Sequence, residues 1–334
     1  MAAGDSVEWF AASFPGAASV TRLDGIRVVR AGRQWTVHIQ AIRHYRGRLR
    51  GRFDAVIDEV NTVPFFTPLW AGIPRFLLIH QLAREVWWYE SPFPVNAVGF
   101  AAEPLYLRLY RSTPAFAVSP STISDLHRLG FRAPVTLVPE GLEPINVPTV
   151  TRPSTASFIY VGRLAPSKRV HDVLTAFAAF ARSHPDSRLG LVGDGAAGYT
   201  ARLRHQALRL GIEGRVDFWG RLDADAKHRR MAMAHALLMT SVREGWGLVV
   251  TEAAACGTPS IVYDVPGLRD AVQHEQTGLV VPPTPQRLAE AMQRLVGDPR
   301  LQQRLGVAAK AASAAFSWDR TAAVMRQAIE RGLR

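Results

Sequence analysis

The 334-residue sequence predicts an α/β protein built from two doubly wound parallel-sheet domains. Its length is sufficient for two domains, each with its own hydrophobic core. Short β-rich apolar runs alternate with helical stretches of roughly 10 to 15 residues, a pattern typical of βαβ units. A segment rich in Pro, Ser and Thr, residues 143–157, separates the two halves and is predicted to be a domain connector. We therefore place the domain boundary near residue 150.

The second half shows the alternation most clearly. Strands are predicted at 157–162, 188–195, 215–220, 236–241 and 260–264. Helices are predicted at 170–184, 199–211, 225–234 and 248–256, and the chain from about 285 to its end is predicted to be helical. Parallel strands joined by helices form a sheet that is covered on both faces.

The first half has the same texture in a less regular form. Strands are predicted at 25–32, 53–60, 75–80, 115–120 and 135–141, with one helix at 35–51. The strands are short and apolar, which fits a second parallel sheet.

Composition limits the class of protein. Hydrophobic residues make up 48% of the chain, which favours a packed globular protein over a disordered one. The single cysteine, Cys256, excludes an internal disulfide and suits a reducing compartment. We find neither a leader at the start nor an apolar run near the roughly 18 residues of a membrane span. These features predict a cytoplasmic protein.

The chain is basic, with 40 basic and 28 acidic residues and a net charge of +12. The charge is spread along the sequence, apart from a local cluster at 43–52, RHYRGRLRGR. Nucleic acid, an anionic membrane surface and a phosphorylated substrate are all candidate partners of such a chain.

The stretch REGWGLVVTE, residues 243–252, holds two carboxylates eight positions apart. Glu244 follows a predicted strand, at the sheet edge where open α/β sheets bind ligands. Gly245 and Gly247 allow close backbone approach, and a helix that starts at Leu248 offers its N-terminus to an anion. Glu252 lies one turn into that helix. The pair is therefore placed to accept hydrogen bonds from hydroxyls on either side of a phosphate, although a solvated loop Glu and a helix-surface Glu are the simpler alternative.

Two further segments supply polar groups at the same edge. Arg163 and Lys168, in GRLAPSKRV, follow the strand at 157–162 and can neutralise a diphosphate. His80 ends the predicted strand at 75–80 in the first domain, where it can face a ligand in the cleft between domains or cap the next helix. Exposed basic residues at a helix start are the alternative for Arg163 and Lys168.

A competing class comes from GDGAAG, residues 193–198, which matches G-x-G-x-x-G and precedes a predicted helix. Asp217 lies about 20 residues further on, so the motif indicates a nicotinamide- or flavin-dependent oxidoreductase. The glycines follow the second strand of their domain rather than the first, which weakens that reading. We find no metal-ligand cluster, no G-x-S-x-G and no Walker-type motif.

Together these segments resemble a known family. YVGRLAPSKRVHDVLTAFA, LVGDG, VDFWGRL, REGWGLVVTEAAACGTPSIVYDVPGLRDAV and TGLVVPP are similar, in that order, to the donor-binding domain of retaining GT-B glycosyltransferases of family 4. The likeness covers about 157–320, and the first domain is also similar through DGIRVVRAG, LIHQLAREVWWYE and FAVSPSTISDLHRLG. The resemblance implies an acceptor-side domain at 1–150, a donor-binding domain at 151–316 and a helix at 317–334 that returns toward the first domain.

The resemblance also implies roles for the site residues and the partners. Glu244 would hold the hydroxyls of the donor sugar, Glu252 the ribose diol, and His80 the sugar from the acceptor side. The diphosphate would be bound by a group of residues at the sheet edge: Arg163, Lys168, Gly245, Trp246, Gly247 and Leu248. The implied reaction is a metal-independent, cofactor-free hexosyl transfer from a UDP- or GDP-linked sugar, with UDP favoured, to a glycan or lipid-linked acceptor. No nucleic acid partner is implied.

Two departures from the family pattern qualify these expectations. The chain has Glu140-Gly141 where the family commonly has Asn-Gly, and we expect little consequence from this difference. SVEWFAASFPG resembles the second strand of the family, so a first strand–Gly-rich loop–helix unit is expected to be missing. The alternative is therefore a sugar-nucleotide-binding protein with impaired catalysis, and an NAD-dependent oxidoreductase is a more remote one.

A membrane surface is a further expected partner. Arg43, Arg46 and Arg50 recur at i, i+3 and i+7 on the helix that also carries Trp35, and an aromatic cluster at 87–89 follows His80. Such a basic face suits anionic lipid head groups or a lipid-linked acceptor, and would place the protein at the inner face of a membrane. A solvated Arg-rich face and a core aromatic cluster are the alternative.

Overall fold

The computed structural model describes residues 4–146 and 150–334. The predicted connector 143–157 contains residues 147–149, which lie outside the described residues. In the described residues the strands are β1 (Glu8–Ala11), β2 (Val20–Leu23), β3 (Ile26–Arg30), β4 (Val56–Val60), β5 (Arg75–Ile79), β6 (Ala115–Ala117), β7 (Val135–Leu137), β8 (Ser157–Val161), β9 (Arg188–Val192), β10 (Val216–Gly220), β11 (Ala236–Met239), β12 (Ser260–Tyr263) and β13 (Gly278–Val281).

The helices run between these strands and at the C-terminal end. They are α1 (Val37–His44), α2 (Val86–Glu90), α3 (Val95–Leu107), α4 (Pro120–Arg128), α5 (Val170–Ala181), α6 (Ala197–Arg209), α7 (Ala224–Met233), α8 (Leu248–Ala255), α9 (Leu268–Ala271), α10 (Pro285–Gly297), α11 (Pro299–Ser313) and α12 (Trp318–Leu333). A π-helical turn, Tyr45–Leu49, continues α1. None of the described helices is long and apolar enough to cross a membrane.

The second domain is one six-stranded parallel sheet with the order β10-β9-β8-β11-β12-β13. Counted from β8, this order is 3-2-1-4-5-6, the Rossmann arrangement. The strand order reverses between β8 and β11, which pair through Ala236 with Phe158 and Leu237 with Ile159. All five strands predicted for this half are present, and β13 is an additional strand.

The first domain contains two sheets. Strands β4-β5-β6-β7 form a parallel sheet in sequential order, and β1-β3-β2 form a smaller sheet in which β2 runs antiparallel to β3. Helices α2, α3 and α4 were not predicted from the sequence. The longest of them, α3, contains Gly99 and Pro104 and leaves Val98 and Leu105 exposed, so it lacks the apolar stripe that identifies a core-facing helix.

Two features of the packing position the cleft between the domains. The core of the second domain lies on both faces of its sheet, where Phe158, Tyr160 and Phe177 are fully buried. Helix α12 leaves this domain and packs its apolar side against Phe76 and Phe116 of the first domain. This helix therefore joins the two domains.

Candidate active site

The predicted donor residues lie at the topological switch point of the second sheet. Arg163 and Lys168 follow β8, and Glu244 follows β11, so the two loops belong to the adjacent strands between which the order reverses. Ligands of open α/β sheets bind in the crevice outside the carboxyl ends of the strands at this point. The fold therefore gathers the residues that the sequence singled out.

Lys168 and Glu244 form an ion pair, which the sequence did not predict. Nζ of Lys168 lies 2.5 Å from Oε1 of Glu244, and the hydroxyl of Ser241 donates to the same oxygen at 2.6 Å. The two charged side chains are only 21% and 14% exposed. An ammonium has three N–H donors, so Lys168 keeps donors for an anion while it holds Glu244.

Glycines shape the loop that carries Glu244. A Cβ on Gly245 would lie 2.9 Å from the carbonyl oxygen of His80, so this glycine lets the loop reach the first domain. Gly267, which has a φ of +82°, faces the loop from the other side, because a Cβ there would lie 2.1 Å from the carbonyl oxygen of Glu244. A side chain at Gly245 or at Gly267 would therefore clash with the carbonyl oxygen that faces it.

Helix α8 starts directly after this loop. Gly247 is its N-cap residue with a φ of +91°, and Leu248 is its first helical residue and 40% exposed. The first N–H groups of a helix lack intrahelical acceptors and carry the positive end of the dipole. The helix therefore offers an anion-binding end beside Lys168.

The side chain of Trp246 has a packing role. Its indole N–H donates to Oγ1 of Thr251 at 2.9 Å, and its ring lies 5.3 Å from that of Phe316, centroid to centroid. The indole N–H is thus already bonded within the protein, and the predicted role of Trp246 in binding the diphosphate stays a prediction.

Glu252 also pairs with a lysine. Its Oε2 lies 2.7 Å from Nζ of Lys227, which α7 contributes, and both side chains are about 20% exposed. Two of the three lysines of the chain thus neutralise the two carboxylates of the REGWGLVVTE stretch. Lys227 was not among the predicted site residues, although the scarcity of lysine in this arginine-rich chain is a signal that could have identified it.

Arg163 is engaged by a carboxylate from the first domain. Nη1 of Arg163 lies 3.2 Å from Oε2 of Glu90, at the end of α2. Ser167 also donates to Glu90 through its hydroxyl, and it donates through its backbone N–H at 3.4 Å. Glu90 therefore occupies hydrogen-bond donors of Arg163 and Ser167 beside the predicted diphosphate position. An anion that binds there must compete with this carboxylate.

His80 lies between two carboxylates. Its Nδ1 is 2.9 Å from Oε1 of Glu140 and its Nε2 is 3.5 Å from Oε1 of Glu59. Hydrogen bonding to Glu140 and then to Glu59 raises the pKa of His80 to about 9, against the smaller effect of burial. The side chain is therefore an imidazolium at neutral pH. The expectation that Glu140 has little consequence took no account of this contact with a predicted site residue, and it stays a prediction.

A buried arginine next to Glu244 joins the two domains. Arg243 is 8% exposed and donates from Nη1 to Asp125 at 2.6 Å and from Nε to Glu85 at 3.0 Å. Both carboxylates belong to the first domain. The loop that carries Glu244 is thus anchored across the cleft by charge-assisted hydrogen bonds, which are stronger than neutral ones.

The glycines of GDGAAG allow the loop after β9 to pack closely against the loop after β8. A Cβ on Gly193 would lie 2.0 Å from the carbonyl oxygen of Gly162, and one on Gly195 would lie 2.0 Å from that of Leu164. The motif follows β9, whereas a dinucleotide fingerprint follows the first strand of its sheet, here β8. Packing therefore accounts for these glycines.

The predicted basic face lies in the first domain. Arg43 lies on α1, Arg46 in the π-helical turn that continues it and Arg50 directly after that turn, and all three are exposed. The helix begins at Val37 and not at Trp35, so the exposed Trp35 (76%) precedes it, whereas the exposed Ile39 (55%) lies on it. In the aromatic cluster, Trp88 and Tyr89 are exposed and Trp87 packs on Gly99.

The fold and the site define a GT-B protein, with two Rossmann-like domains that face each other across a cleft. A solved structure of sucrose-phosphate synthase from Thermosynechococcus elongatus superposes with a TM-score of 0.81 over 99% of this chain and 90% of that one, at 22% identity. Anabaena Alr3699/HepE, solved in complex with UDP-glucose, gives a TM-score of 0.71 over 92% of this chain and 86% of that one, at 21% identity.

Within this class, residues 148–312 match the family model of glycosyl transferases group 1. The D-inositol 3-phosphate glycosyltransferase of Jonesia denitrificans is 31% identical over 238 residues, which cover 70% of this chain and 53% of that protein. The glycogen synthase of Mycobacterium tuberculosis H37Rv is 33% identical over 210 residues, covering 60% and 50% respectively. The chain thus spans about half the length of these curated relatives.

Proposed function

We propose that the protein is a retaining, metal-independent glycosyltransferase of family 4 that moves a hexose from a UDP- or GDP-linked donor to a glycan or lipid-linked acceptor. The observation that carries this proposal is the Lys168–Glu244 ion pair at the switch point, beside the N-terminus of α8. A cation and a helix end favour a diphosphate, and the adjoining carboxylate accepts hydrogen bonds from sugar hydroxyls. The names of the glycosyltransferase relatives and the UDP-glucose complex of HepE support it.

Each site residue receives a role consistent with its surroundings. Glu244 binds hydroxyls of the hexose, and Lys168 and Arg163 bind the diphosphate together with the first N–H groups of α8. Glu252, on the same helix, accepts hydrogen bonds from the ribose. Arg163 must exchange Glu90 for the donor, since its guanidinium now pairs with that carboxylate.

The chemical step needs a stabilised leaving group. As the bond between the anomeric carbon and the phosphate oxygen breaks, negative charge grows on the nucleotide diphosphate. Lys168 and the α8 N-terminus would donate to this charge as it develops, and Arg163 would join them once it has left Glu90. Stabilisation of developing charge by such donors is the electrostatic contribution that usually lowers a barrier most. The acceptor oxygen then bonds to the anomeric carbon on the same face, and its proton passes to the leaving phosphate. Departure and attack on the same face would retain the configuration of the anomeric carbon.

The acceptor is proposed to be held at a membrane surface. The segment that carries the exposed Arg43, Arg46 and Arg50 also carries the exposed Trp35 and Ile39, and cationic and apolar groups together suit a membrane interface. We propose a cytoplasmic protein that attaches peripherally to anionic lipid. Binding to anionic but not to neutral vesicles, and its loss at moderate salt, is the result that supports this attachment.

The experiment that tests the proposed activity is a transfer assay with UDP- and GDP-linked glucose, mannose and galactose against a panel of glycan and lipid-linked acceptors. The product's anomeric configuration is read by proton NMR. An α-linked product from an α-linked donor, formed equally in EDTA, supports the proposal. An inverted product contradicts the retaining mechanism, and nucleotide binding without transfer to any acceptor leaves only a sugar-nucleotide-binding protein.

A further inference from the structure

We infer that Glu140 is a positioning residue for His80. Its carboxylate fixes the imidazole so that Nε2–H is directed at the carboxyl ends of the first-domain strands. Glu59 accepts from this N–H there until a substrate oxygen replaces it. This inference rests on the proposed function and goes beyond it, because it assigns a residue at a position where the family pattern differs.

The geometry separates the two carboxylates into a fixed and a replaceable partner. Glu140 lies 2.9 Å from Nδ1 and its side chain is 11% exposed. Glu59 lies 3.5 Å from Nε2 and its side chain is 46% exposed. A short contact from a largely buried carboxylate orients the ring, whereas a long contact to a half-exposed one is easily exchanged for a ligand.

The segment that carries Glu140 is itself held in place by α12. Oγ1 of Thr321 donates to the carbonyl oxygen of Pro139 at 2.6 Å. Gly141 lies against the ring of Trp318, because a Cβ there would come within 2.3 Å of a ring carbon. The residues on both sides of Glu140 are therefore fixed, and the carboxylate has a defined position.

His80 is also fixed from its backbone side and borders the donor loop. Its carbonyl oxygen accepts from Oγ1 of Thr122 at 3.1 Å and is approached by Gly245. The charged groups around the imidazole are Glu59 from β4 and Glu140 from the segment after β7; the nearby Glu244 is paired with Lys168. A rigid imidazolium at the border of the two domains can donate one hydrogen bond to the substrate over a broad pH range.

The test is an NMR titration of His80 in the full chain labelled in histidine, with its signal assigned by its absence in His80→Asn. In the wild-type protein we expect a midpoint near 9. Glu140→Gln keeps the side-chain size but loses the charge, and we expect the midpoint to fall by about one pH unit or more toward the ordinary 6.5. Glu140→Asp keeps the charge and should retain most of the elevation. Glu143→Gln, at an exposed neighbouring position, should leave the midpoint unchanged.

The kinetic counterpart is the alkaline limb of kcat/KM, which should move with the His80 midpoint. A midpoint that falls by about one pH unit lowers the protonated fraction, and so kcat/KM, about threefold at pH 8.5 in Glu140→Gln, and a larger fall lowers it further. In the His80→Asn background, Glu140→Gln should cause no further loss, and an added loss would overturn the inference. An unchanged titration with intact hexosyl transfer overturns the positioning role alone. A shifted titration without transfer of any hexose overturns the proposed function alone.

Discussion

Nζ of Lys168 lies 2.5 Å from Oε1 of Glu244, although the two residues are 76 positions apart in the chain. They come from the loops after β8 and β11, the neighbouring strands at which the strand order reverses. The groups proposed to bind the sugar and the diphosphate are therefore one charged unit. A change at either residue should alter the other, so their effects on turnover should not add.

Glu244→Gln is expected to lower kcat/KM for the donor about 10²- to 10³-fold, the usual effect of removing one preorganised group that acts in the transition state. Glutamine keeps the size of the side chain but loses the charge that pairs with Lys168. Thermal unfolding measured beside the kinetics should show an intact fold. Glu290→Gln, on the exposed side of α10, is the matched control and should keep full activity. Unchanged turnover in Glu244→Gln would remove this residue from the reaction.

Glu90→Gln is expected to tighten the binding of a nucleoside diphosphate. The donor must displace Glu90 from Arg163 and Ser167, and an exposed ion pair is worth up to about 1 kcal/mol, or roughly fivefold in affinity. Isothermal titration calorimetry with UDP and GDP measures the change. Glu213→Gln, near the amino end of β10 and so at the opposite sheet edge, is the control. Weaker binding in Glu90→Gln would show that Glu90 supports the donor site instead.

Gly267→Ala is expected to destabilise the protein by about 2 kcal/mol or more and to reduce donor binding. The new methyl group would lie 2.1 Å from the carbonyl oxygen of Glu244, and a φ of +82° is costly for any residue with a Cβ. Gly198→Ala is the paired control, because nothing lies within 4 Å of its Cβ position and it is part of α6. That variant should be unchanged or more stable by up to about 1 kcal/mol in chemical denaturation. Equal stability of the two variants would contradict the described loop.

The stability contributed by His80 should depend on pH. Its pKa is raised to about 9 in the folded chain by Glu140 and Glu59, against an ordinary value of 6.5 in the unfolded chain. The folded state thus binds the proton more tightly, so the contribution is fully present below about pH 6.5 and is lost as the pH rises through 9. The difference in Tm between wild type and His80→Asn should therefore shrink over this interval. A constant difference from pH 6 to 9.5 would show that His80 does not titrate as described.

The sequence predicted the architecture of the second domain because its strands are buried on both faces and read as continuous apolar runs. It also located Glu244, Arg163 and Lys168, since residues at the carboxyl ends of parallel strands share one sheet edge. The sequence could not predict which residues pair with these side chains. Glu90 is 73 positions from Arg163 and reaches it only when the two domains meet. Glu140 follows β7 and reaches His80, at the end of β5, across the one strand between them, β6. Contacts between residues that are far apart in the chain carry no local pattern, so these two pairs emerge only from the fold.

The most direct test of the donor site is the thermal shift of the full chain with UDP, GDP, ADP, their glucose and mannose conjugates, and NAD, each with and without EDTA. A ligand at about 100 times its Kd adds roughly 2.7 kcal/mol to stability, which is readily detected. We expect one nucleoside diphosphate to raise the Tm equally in EDTA, and we expect this rise to disappear in Lys168→Ala but to persist in Lys310→Ala, which changes an exposed lysine of α11. A rise with NAD alone, or a nucleotide effect that survives Lys168→Ala, would contradict a diphosphate site built on Lys168 and Glu244.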